Sequence, residues 1–183
     1  NGARRGILFK GGVYVENAAA TKVVAFDKTG TLTVGEPQVT DVISFSEQTS
    51  ENDLLALAAS VEARSEHPLA QATVKAAQAR ELDWPKAVNF QATTGQGVAA
   101  VVEEKQIWIG NGRFFSKLKT SGMVGAEAQL ERLQSQGKTS VLVAEVDEAA
   151  GTAVLLGALA YADGIRPDAP DVVRDLHANG VEH

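Results

Sequence analysis

The sequence predicts an α/β protein of three regions: a short start that ends a strand on a reactive turn, a larger α/β unit with an antiparallel sheet, and a strand-and-helix end that stops where a parallel sheet would take its next strand. Three observations predict it. Near the start, an apolar run of strand character, Lys22-Val23-Val24-Ala25-Phe26, ends on Asp27 in a turn rich in Gly and Thr. The middle carries helical apolar faces and then two apolar strands joined by a polar turn. Near the end, a second apolar strand at residues 155–160 leads into a helix that Gly180 closes, and Val181 reads as the opening of a further strand. The regions so defined are residues 1–36, 37–153 and 154–183.

In order along the chain, a basic start (Arg4, Arg5, Lys10) and a Gly11-Gly12 break precede a short helix at residues 13–20 and the strand at 21–26. A strand at 39–45 follows, and then Ser50-x-x-Asp53 resembles a capping box for a helix with Leu54, Leu57, Ala58 and Val61 on one face. Pro68, suited to a first helical turn, starts the next helix, which runs to about Ala79. Residues 98–102 and 106–109 read as paired strands, 126–135 as a helix and 140–146 as a strand. After the strand at 155–160, Asp163 and Pro167 lead to a helix with Val172, Val173 and Leu176 on its apolar face.

Composition narrows the function classes. At 183 residues, 44% hydrophobic and 22% charged, the chain can bury one core or two small ones. A net charge of -6 and the lack of a long basic run argue against a nucleic-acid partner. With no Cys there is neither a disulfide framework nor a thiolate metal site, which fits a reducing compartment; a bound metal would sit on oxygen or His. No stretch reaches the roughly 18 apolar residues of a membrane span, and the first ten residues lack a signal-peptide pattern, so the chain reads as soluble.

The most specific feature is Asp27-Lys28-Thr29-Gly30-Thr31-Leu32-Thr33. Reactive groups of open α/β sheets collect beyond the carboxyl ends of strands, which suits Asp27 as a nucleophile. A carboxylate that attacks a phosphoryl group forms an acyl phosphate and divides a difficult transfer into two steps. Gly30 lets the backbone turn close to a phosphate, and the hydroxyls and amides after Asp27 can bind its oxygens. The negative charge calls for Mg2+, which Asp27 and the Thr29 carbonyl could help hold. The bland alternative is a solvated strand-to-turn corner with a local Asx bond.

This heptapeptide resembles the phosphorylation signature of the P-type ATPases. The resemblance implies a partial Rossmann-like phosphorylation domain of the haloacid-dehalogenase type, into which an α/β nucleotide-binding domain with an antiparallel sheet is inserted, with Asp27 as the phosphorylated residue and Lys28, Thr29 and Thr31 supporting the phosphate. Haloacid-dehalogenase-type phosphatases place a second Asp two residues after the nucleophile as general acid and base. Thr29 stands there instead, so the resemblance implies a phosphoenzyme that is hydrolysed slowly.

Ser65-Glu66-His67-Pro68-Leu69-Ala70 resembles the histidine-proline motif in the nucleotide-binding domain of the heavy-metal-transporting P-type ATPases. Read from its residues alone, it is a His beside a helix N-terminus, which serves a cap as readily as a ligand. The family pattern implies that Glu62 recognises adenine, that Gly95 and Gly97 allow nucleotide to approach, and that Asn111 makes a polar contact. Taken singly, Glu62 would be a solvated helix carboxylate and the Gly pair a β-turn, while Trp108 and Phe114 read as core.

The resemblance extends from Arg5-Gly6-Ile7-Leu8, which is similar to the segment leaving a membrane helix, to Gly180-Val181. Ala162-Asp163-Gly164-Ile165-Arg166-Pro167 is similar to the family's second hinge strand, with Asp163 and Arg166 keeping the hinge geometry. Two family elements, a Thr-Gly-Asp loop and a later Gly-Asp-x-x-Asn-Asp-type segment, are absent from the sequence, which therefore reads as a fragment. The family implies ATP and Mg2+ as cofactors and a place at the cytoplasmic face of a membrane. It also implies a transported metal cation held by membrane helices outside the sequence, of the zinc, cadmium or lead kind rather than copper. Two rival readings remain: a nucleotide-binding module without phosphoryl transfer, and a soluble phosphatase, which Thr29 opposes.

Overall fold

The computed structural model describes residues 6–183, apart from the side chains at positions 29 and 123–125. The basic start at Arg4 and Arg5 lies outside the described residues. The chain divides into two compact units, Glu36–Gly164 and Asn1–Gly35 with Ile165–His183.

The larger unit is built on a seven-stranded sheet. Its strands are β1 (Thr33–Ser44), β2 (Val88–Thr93), β3 (Gly97–Val102), β4 (Lys105–Gly110), β5 (Lys119–Ser121), β6 (Thr139–Asp147) and β7 (Thr152–Ile165). They lie in the order β1-β7-β6-β4-β3-β2, and the short β5 pairs parallel to β7. The β3–β4 hairpin turns on Glu103 and Glu104, both at positive φ (48° and 70°), the backbone of a tight hairpin turn that matches strand twist. The strand expected at 155–160 is the middle of the much longer β7, hydrogen-bonded within this antiparallel sheet.

The centre of the sheet is covered on both faces. On one, α2 (Glu51–Glu62) and α3 (Pro68–Ala79) cover Ala100, Val102, Ile107, Ile109, Val143 and Leu159. On the other, Phe115 and Ala126 of α4 (Met123–Ser135) pack with Leu142, Ala144, Ala153 and Leu155. A bulge in β7 reconciles the two faces, because Val143 pairs with Gly157 but Ala144 pairs with Leu155, which leaves Leu156 as an extra residue. Ala153 and Leu155 therefore face one core while Leu159 and Tyr161, of the same parity, face the other.

Helix ends follow the sequence. Ser50 accepts from the Asp53 N–H and Asp53 from the Ser50 N–H, a reciprocal capping box that starts α2. Pro68 occupies the first turn of α3, where its missing N–H costs nothing.

The smaller unit holds α1 (Gly12–Ala19), a π-helical turn (Lys28–Leu32) and α5 (Ala169–Ala178). The strand expected at 21–26 is not a regular one. The segment joins no sheet; its backbone is tied to the chain end by Glu182 N–H to Lys22 O (2.8 Å), His183 N–H to Lys22 O (3.3 Å) and Val24 N–H to His183 O (2.8 Å), and Lys22 Nζ donates to Gly180 O (3.2 Å). The last helix begins at Ala169 rather than Pro167, since the Arg166 N–H is spent on Leu32 O (2.9 Å) and Pro170 takes the first turn. It ends as expected at Gly180: φ is 90°, Gly180 N–H reaches His177 O and Val181 N–H reaches Leu176 O. Val172 and Val173 of its apolar face are exposed, while Leu176 is half-buried.

Candidate functional site

Two groups of residues singled out by sequence are assembled by the fold, one in each unit. In the larger unit the junction of α2 and α3 faces the β2–β3 turn and the start of β6 across a cleft of about 410 Å³, within the usual size of small-molecule sites. Glu62, His67, Gly95, Gly97 and Asn111 all line it.

Glu62 ends α2 and is only 8% exposed. Burial raises its carboxyl from the ordinary 4.5 to about 7, with a hydrogen bond from Ser65 pulling weakly the other way. The Ser65 hydroxyl also accepts the His67 N–H at 3.3 Å, so one hydroxyl links the two residues. His67 is the N-cap of α3. Its Nδ1 accepts the Leu69 N–H at 3.2 Å, which makes Nδ1 the unprotonated nitrogen and leaves the proton on Nε2. The cap and the ligand readings of His67 are thus compatible, each using a different ring nitrogen.

Behind the cleft, Thr73 of α3 donates to Leu69 O (3.0 Å) and meets the hydroxyl of the buried Tyr161 at 2.8 Å, so the tyrosine is the donor. That bond fastens α3 to β7. Burial, above all, raises the Tyr161 hydroxyl beyond its usual range.

The opposite wall is a turn in which Gln96 N–H reaches Thr93 O (3.0 Å). Gly95 has φ 71° with open space where a Cβ would stand, so its glycine serves the backbone conformation. At Gly97 a Cβ would collide with the Ile109 carbonyl, Gly110 and the Phe114 ring, so here glycine is needed for close strand packing. Asn111 is largely a brace: its Nδ2 donates to Gly95 O (2.9 Å), its Oδ1 accepts the Arg113 N–H (3.0 Å), and its N–H reaches Gln96 O. The second Nδ2 hydrogen remains for a ligand.

Trp108 and Phe114 stack on each other, with centroids 4.5 Å apart, as part of the core on the other face of the sheet. Sequence reasoning missed Thr139, Ser140 and Val141, which also line the cleft. Their only signal was a strand opening just after a glycine.

In the smaller unit, Asp27 is exposed and sits in extended conformation before the π-helical turn. Thr33, 2% exposed, staples that turn: its hydroxyl donates to Lys28 O and accepts the Gly30 N–H, both at 3.1 Å. Gly30 has φ 77°. Arg166 clasps the same turn from the returning chain, with Nη2 to Gly30 O and Nε to Thr33 O, each 3.1 Å. Lys28 and Thr31 are exposed beside Asp27, and Thr29 follows with its backbone in the turn. Asp163, in the larger unit, accepts the Glu36 N–H at 3.2 Å, which joins the starts and ends of neighbouring strands.

Comparison with known proteins gives a consistent picture. A model of the haloacid dehalogenase-like hydrolases matches residues 21–183. The chain is 38% identical over 186 aligned residues to a cadmium-transporting ATPase of Staphylococcus aureus, covering all of this chain and 25% of that one. It is 36% identical to a manganese-exporting P-type ATPase of Mycobacterium bovis over 99% of this chain and 24% of the relative. A zinc-transporting PIB-type ATPase, solved in its E2.Pi state, superposes with a TM-score of 0.75 at 39% identity, covering 99% of this chain and 28% of that one. The chain thus spans about a quarter of the length of these relatives.

Proposed function

Because the chain belongs to the haloacid dehalogenase-like hydrolases and aligns throughout with metal-transporting P-type ATPases, we propose that it is the ATP-binding and phosphorylated region of a heavy-metal cation pump. Glu36–Gly164 is then the nucleotide-binding domain, and Asn1–Gly35 with Ile165–His183 belongs to the phosphorylation domain. The observation that carries the reading is the convergence of Glu62, His67, Gly95, Gly97 and Asn111, distant in sequence, on one cleft.

In this cleft Glu62 would meet the adenine ring and the His67 Nε2–H would donate to the nucleotide. Gly95 and Gly97 would shape the wall against which nucleotide lies, Gly95 through its backbone at φ 71° and Gly97 through the close packing of β3 on β4. Asp27 would act as nucleophile. Its carboxylate oxygen bonds to the γ-phosphorus while the bond to the ADP oxygen breaks, and ADP leaves with that electron pair. Lys28 and Thr31 would balance and bind the transferred phosphoryl group, together with Thr29.

Among the described residues no three His, Cys, Asp or Glu side chains gather as a metal site. Asp27 and the Thr29 carbonyl therefore fit an ion that keeps water and phosphate among its ligands, as Mg2+ does. When bound, Mg2+ would supply charge neutralisation for the phosphoryl oxygens.

In the complete protein the transported cation would be bound within the membrane, and this region would lie at the cytoplasmic face. The relatives are named for cadmium, manganese and zinc. A divalent cation of the zinc or cadmium kind is the reading favoured here over copper.

Titration calorimetry with ATP and Mg2+ tests the cleft. The expected result is a site of micromolar to millimolar affinity, roughly 4 to 8 kcal/mol, weakened in His67→Ala. Failure of the folded chain to bind ATP would overturn the assignment. An acid-stable, hydroxylamine-labile phosphoenzyme that Asp27→Asn abolishes would support the phosphoryl-transfer half, and steady hydrolysis of small phosphate esters would instead favour a phosphatase.

A further inference from the structure

Asn111 is followed by Gly112, and the same pair recurs as Asn179–Gly180 and, outside the described residues, as Asn1–Gly2. We propose that Asn111–Gly112 is a site of spontaneous modification, at which ring closure converts a brace of the cleft into aspartate or isoaspartate. A loss of nucleotide affinity follows, and this consequence rests on the assignment of the cleft to ATP. In the reaction the Gly112 backbone nitrogen gives up its proton to water or hydroxide and bonds to Asn111 Cγ, while an electron pair of the side-chain carbonyl moves onto Oδ1. The intermediate collapses: the Cγ–Nδ2 bond breaks, and Nδ2 takes a proton from water and leaves as ammonia. Water then opens the resulting succinimide. Attack at Cγ gives aspartate, and attack at the main-chain carbonyl of residue 111 gives isoaspartate, whose backbone runs through the side chain.

Glycine puts no side chain in the way of the attacking nitrogen, and the fold decides which of the two described pairs reacts. Gly112 is exposed, its φ lies outside the left-handed region, and a Cβ there would meet open space. Among the described residues its N–H has no hydrogen-bond partner. Asn111 Oδ1 accepts the Arg113 N–H at 3.0 Å, so a donor stands at the oxygen on which negative charge develops. The Gly95 carbonyl, which accepts Nδ2 at 2.9 Å, holds the leaving nitrogen and opposes ring closure, so the folded chain should react here more slowly than an unfolded one. Asn179 is restrained more tightly. It caps α5, its Nδ2 donates to Asp175 O at 2.7 Å, and the Gly180 N–H is spent on His177 O at 3.0 Å. Its ring can close only after the helix end unwinds.

Conversion dismantles part of the cleft wall. An aspartate has no Nδ2–H, so the bond to Gly95 O is lost and a carboxylate oxygen is set against that carbonyl. Isoaspartate also adds a methylene to the backbone beside the point where the Asn111 N–H reaches Gln96 O at 2.9 Å. Both products carry a negative charge that the amide lacks, in the lining of a cleft assigned to a polyanion.

The test ages the folded chain at mildly alkaline pH, where the amide nitrogen loses its proton more readily. Peptide mass mapping reads the exchange of an amide for an acid at each Asn, and methyl transfer by an isoaspartyl methyltransferase reads isoaspartate. Conversion at Asn111 is expected to outpace that at Asn179 by roughly tenfold in the folded chain, and the two rates to come together in urea. Gly112→Ala, which the open space around Gly112 admits, is expected to slow conversion at residue 111 roughly tenfold by crowding the attacking nitrogen. Conversion at Asn111 that is no faster than at Asn179 in the folded chain, or that Gly112→Ala leaves undiminished, would overturn the proposal. Calorimetry with ATP and Mg2+ then follows affinity during ageing. The wild type is expected to lose ATP binding in step with the fraction converted at Asn111, while Gly112→Ala, in which Asn1 and Asn179 age alike, keeps it. Unchanged affinity in fully converted protein would overturn the consequence for the cleft. If the fresh folded chain binds no ATP, the cleft assignment falls, and the mass readings decide the modification site on their own.

Discussion

The cleft of Glu36–Gly164 is lined by groups anchored in a sheet whose centre is covered on both faces, while the Asp27 loop of the smaller unit is held by a handful of hydrogen bonds among its own neighbours. The first kind of site inherits rigidity from a core: Leu54, Leu55, Ala58 and Val61 of α2 are fully buried, and Glu62 follows them directly. The second relies on Thr33 and Arg166, and apolar residues of the same unit, among them Phe26, Val172 and Val173, are exposed. The shape of the cleft is thus set by packing, and the conformation of the Asp27 loop by local backbone satisfaction.

That contrast is broken most directly by truncating each region in turn. Leu54→Ala removes a fully buried side chain that packs against Gly157, and it is expected to lower stability by about 3 kcal/mol. Val173→Ala, on the exposed face of α5, should cost less than about 0.5 kcal/mol. Urea unfolding of both variants provides the check. Equal losses would show that the smaller unit has a core of comparable worth and would remove the distinction.

The two glycines of the β2–β3 turn sharpen it further. Gly97→Ala forces a Cβ against the Ile109 carbonyl and Gly110 backbone, which cannot retreat without parting β3 from β4, and a loss of about 2 to 3 kcal/mol is expected. Gly95→Ala meets open space but keeps φ at 71°, and should cost only about 1 kcal/mol. Thermal unfolding that ranks them in the reverse order would show that the turn, rather than the strand contact, dictates glycine here.

Much of this was legible in the sequence, for a reason that differs between regions. Helices α2 and α3 announced themselves through Ser50-x-x-Asp53, Pro68 and apolar residues at helical spacing, because caps and faces are local. Strand β2 did not, since five of its six residues are exposed and a bulge between Val88 and Gln91 breaks its alternation. The apolar run at 21–26 read as a strand on composition, but strand character requires a paired strand, and the run has in its place a few bonds to Glu182 and His183 at its middle.

In the cleft, the glycines, His67 and Glu62 could be picked out in sequence by their likeness to a family pattern. The bracing role of Asn111 could not, because it depends on the end of β4 lying beside the β2–β3 turn, nor could the presence of Ser140 and Val141, which depends on β6 lying next to β4. The raised carboxyl of Glu62 is likewise a consequence of tertiary burial, invisible in a residue that sequence alone assigns to a solvated helix face.

Arg166 offers a smaller perturbation confined to the loop. Arg166→Ala releases the carbonyls of Gly30 and Thr33, and a local loss of about 1 kcal/mol is expected, since the guanidinium is exposed. Hydrogen exchange should quicken in residues 28–33, while ATP affinity in the cleft stays within about twofold. Arg166→Lys should restore little, because one ammonium cannot reproduce the two-point fork. A matching loss of ATP affinity would mean that the loop and the cleft are energetically coupled and not separately built.

A modest and pH-dependent effect is expected at the edge of the larger sheet. Lys138, just before β6, meets Asp41 of β1 at 2.6 Å, with the two side chains 21% and 25% exposed. The Lys138 hydrogen bond lowers the Asp41 carboxyl below its ordinary 3.8, against a smaller opposing effect of burial. A carboxylate held low in the folded state contributes its stability above the unfolded value and loses it as pH falls through the folded one. Asp41→Asn should therefore cost about 0.5 to 1 kcal/mol at neutral pH, the modest worth of a half-solvated pair, and progressively less once pH drops below the ordinary carboxylate value. Melting curves of wild type and variant that converge in acid would assign the effect to this pair. A gap that persists in acid would instead assign it to packing around the Asp41 side chain, and the edge of the sheet would then be held as its centre is, by burial.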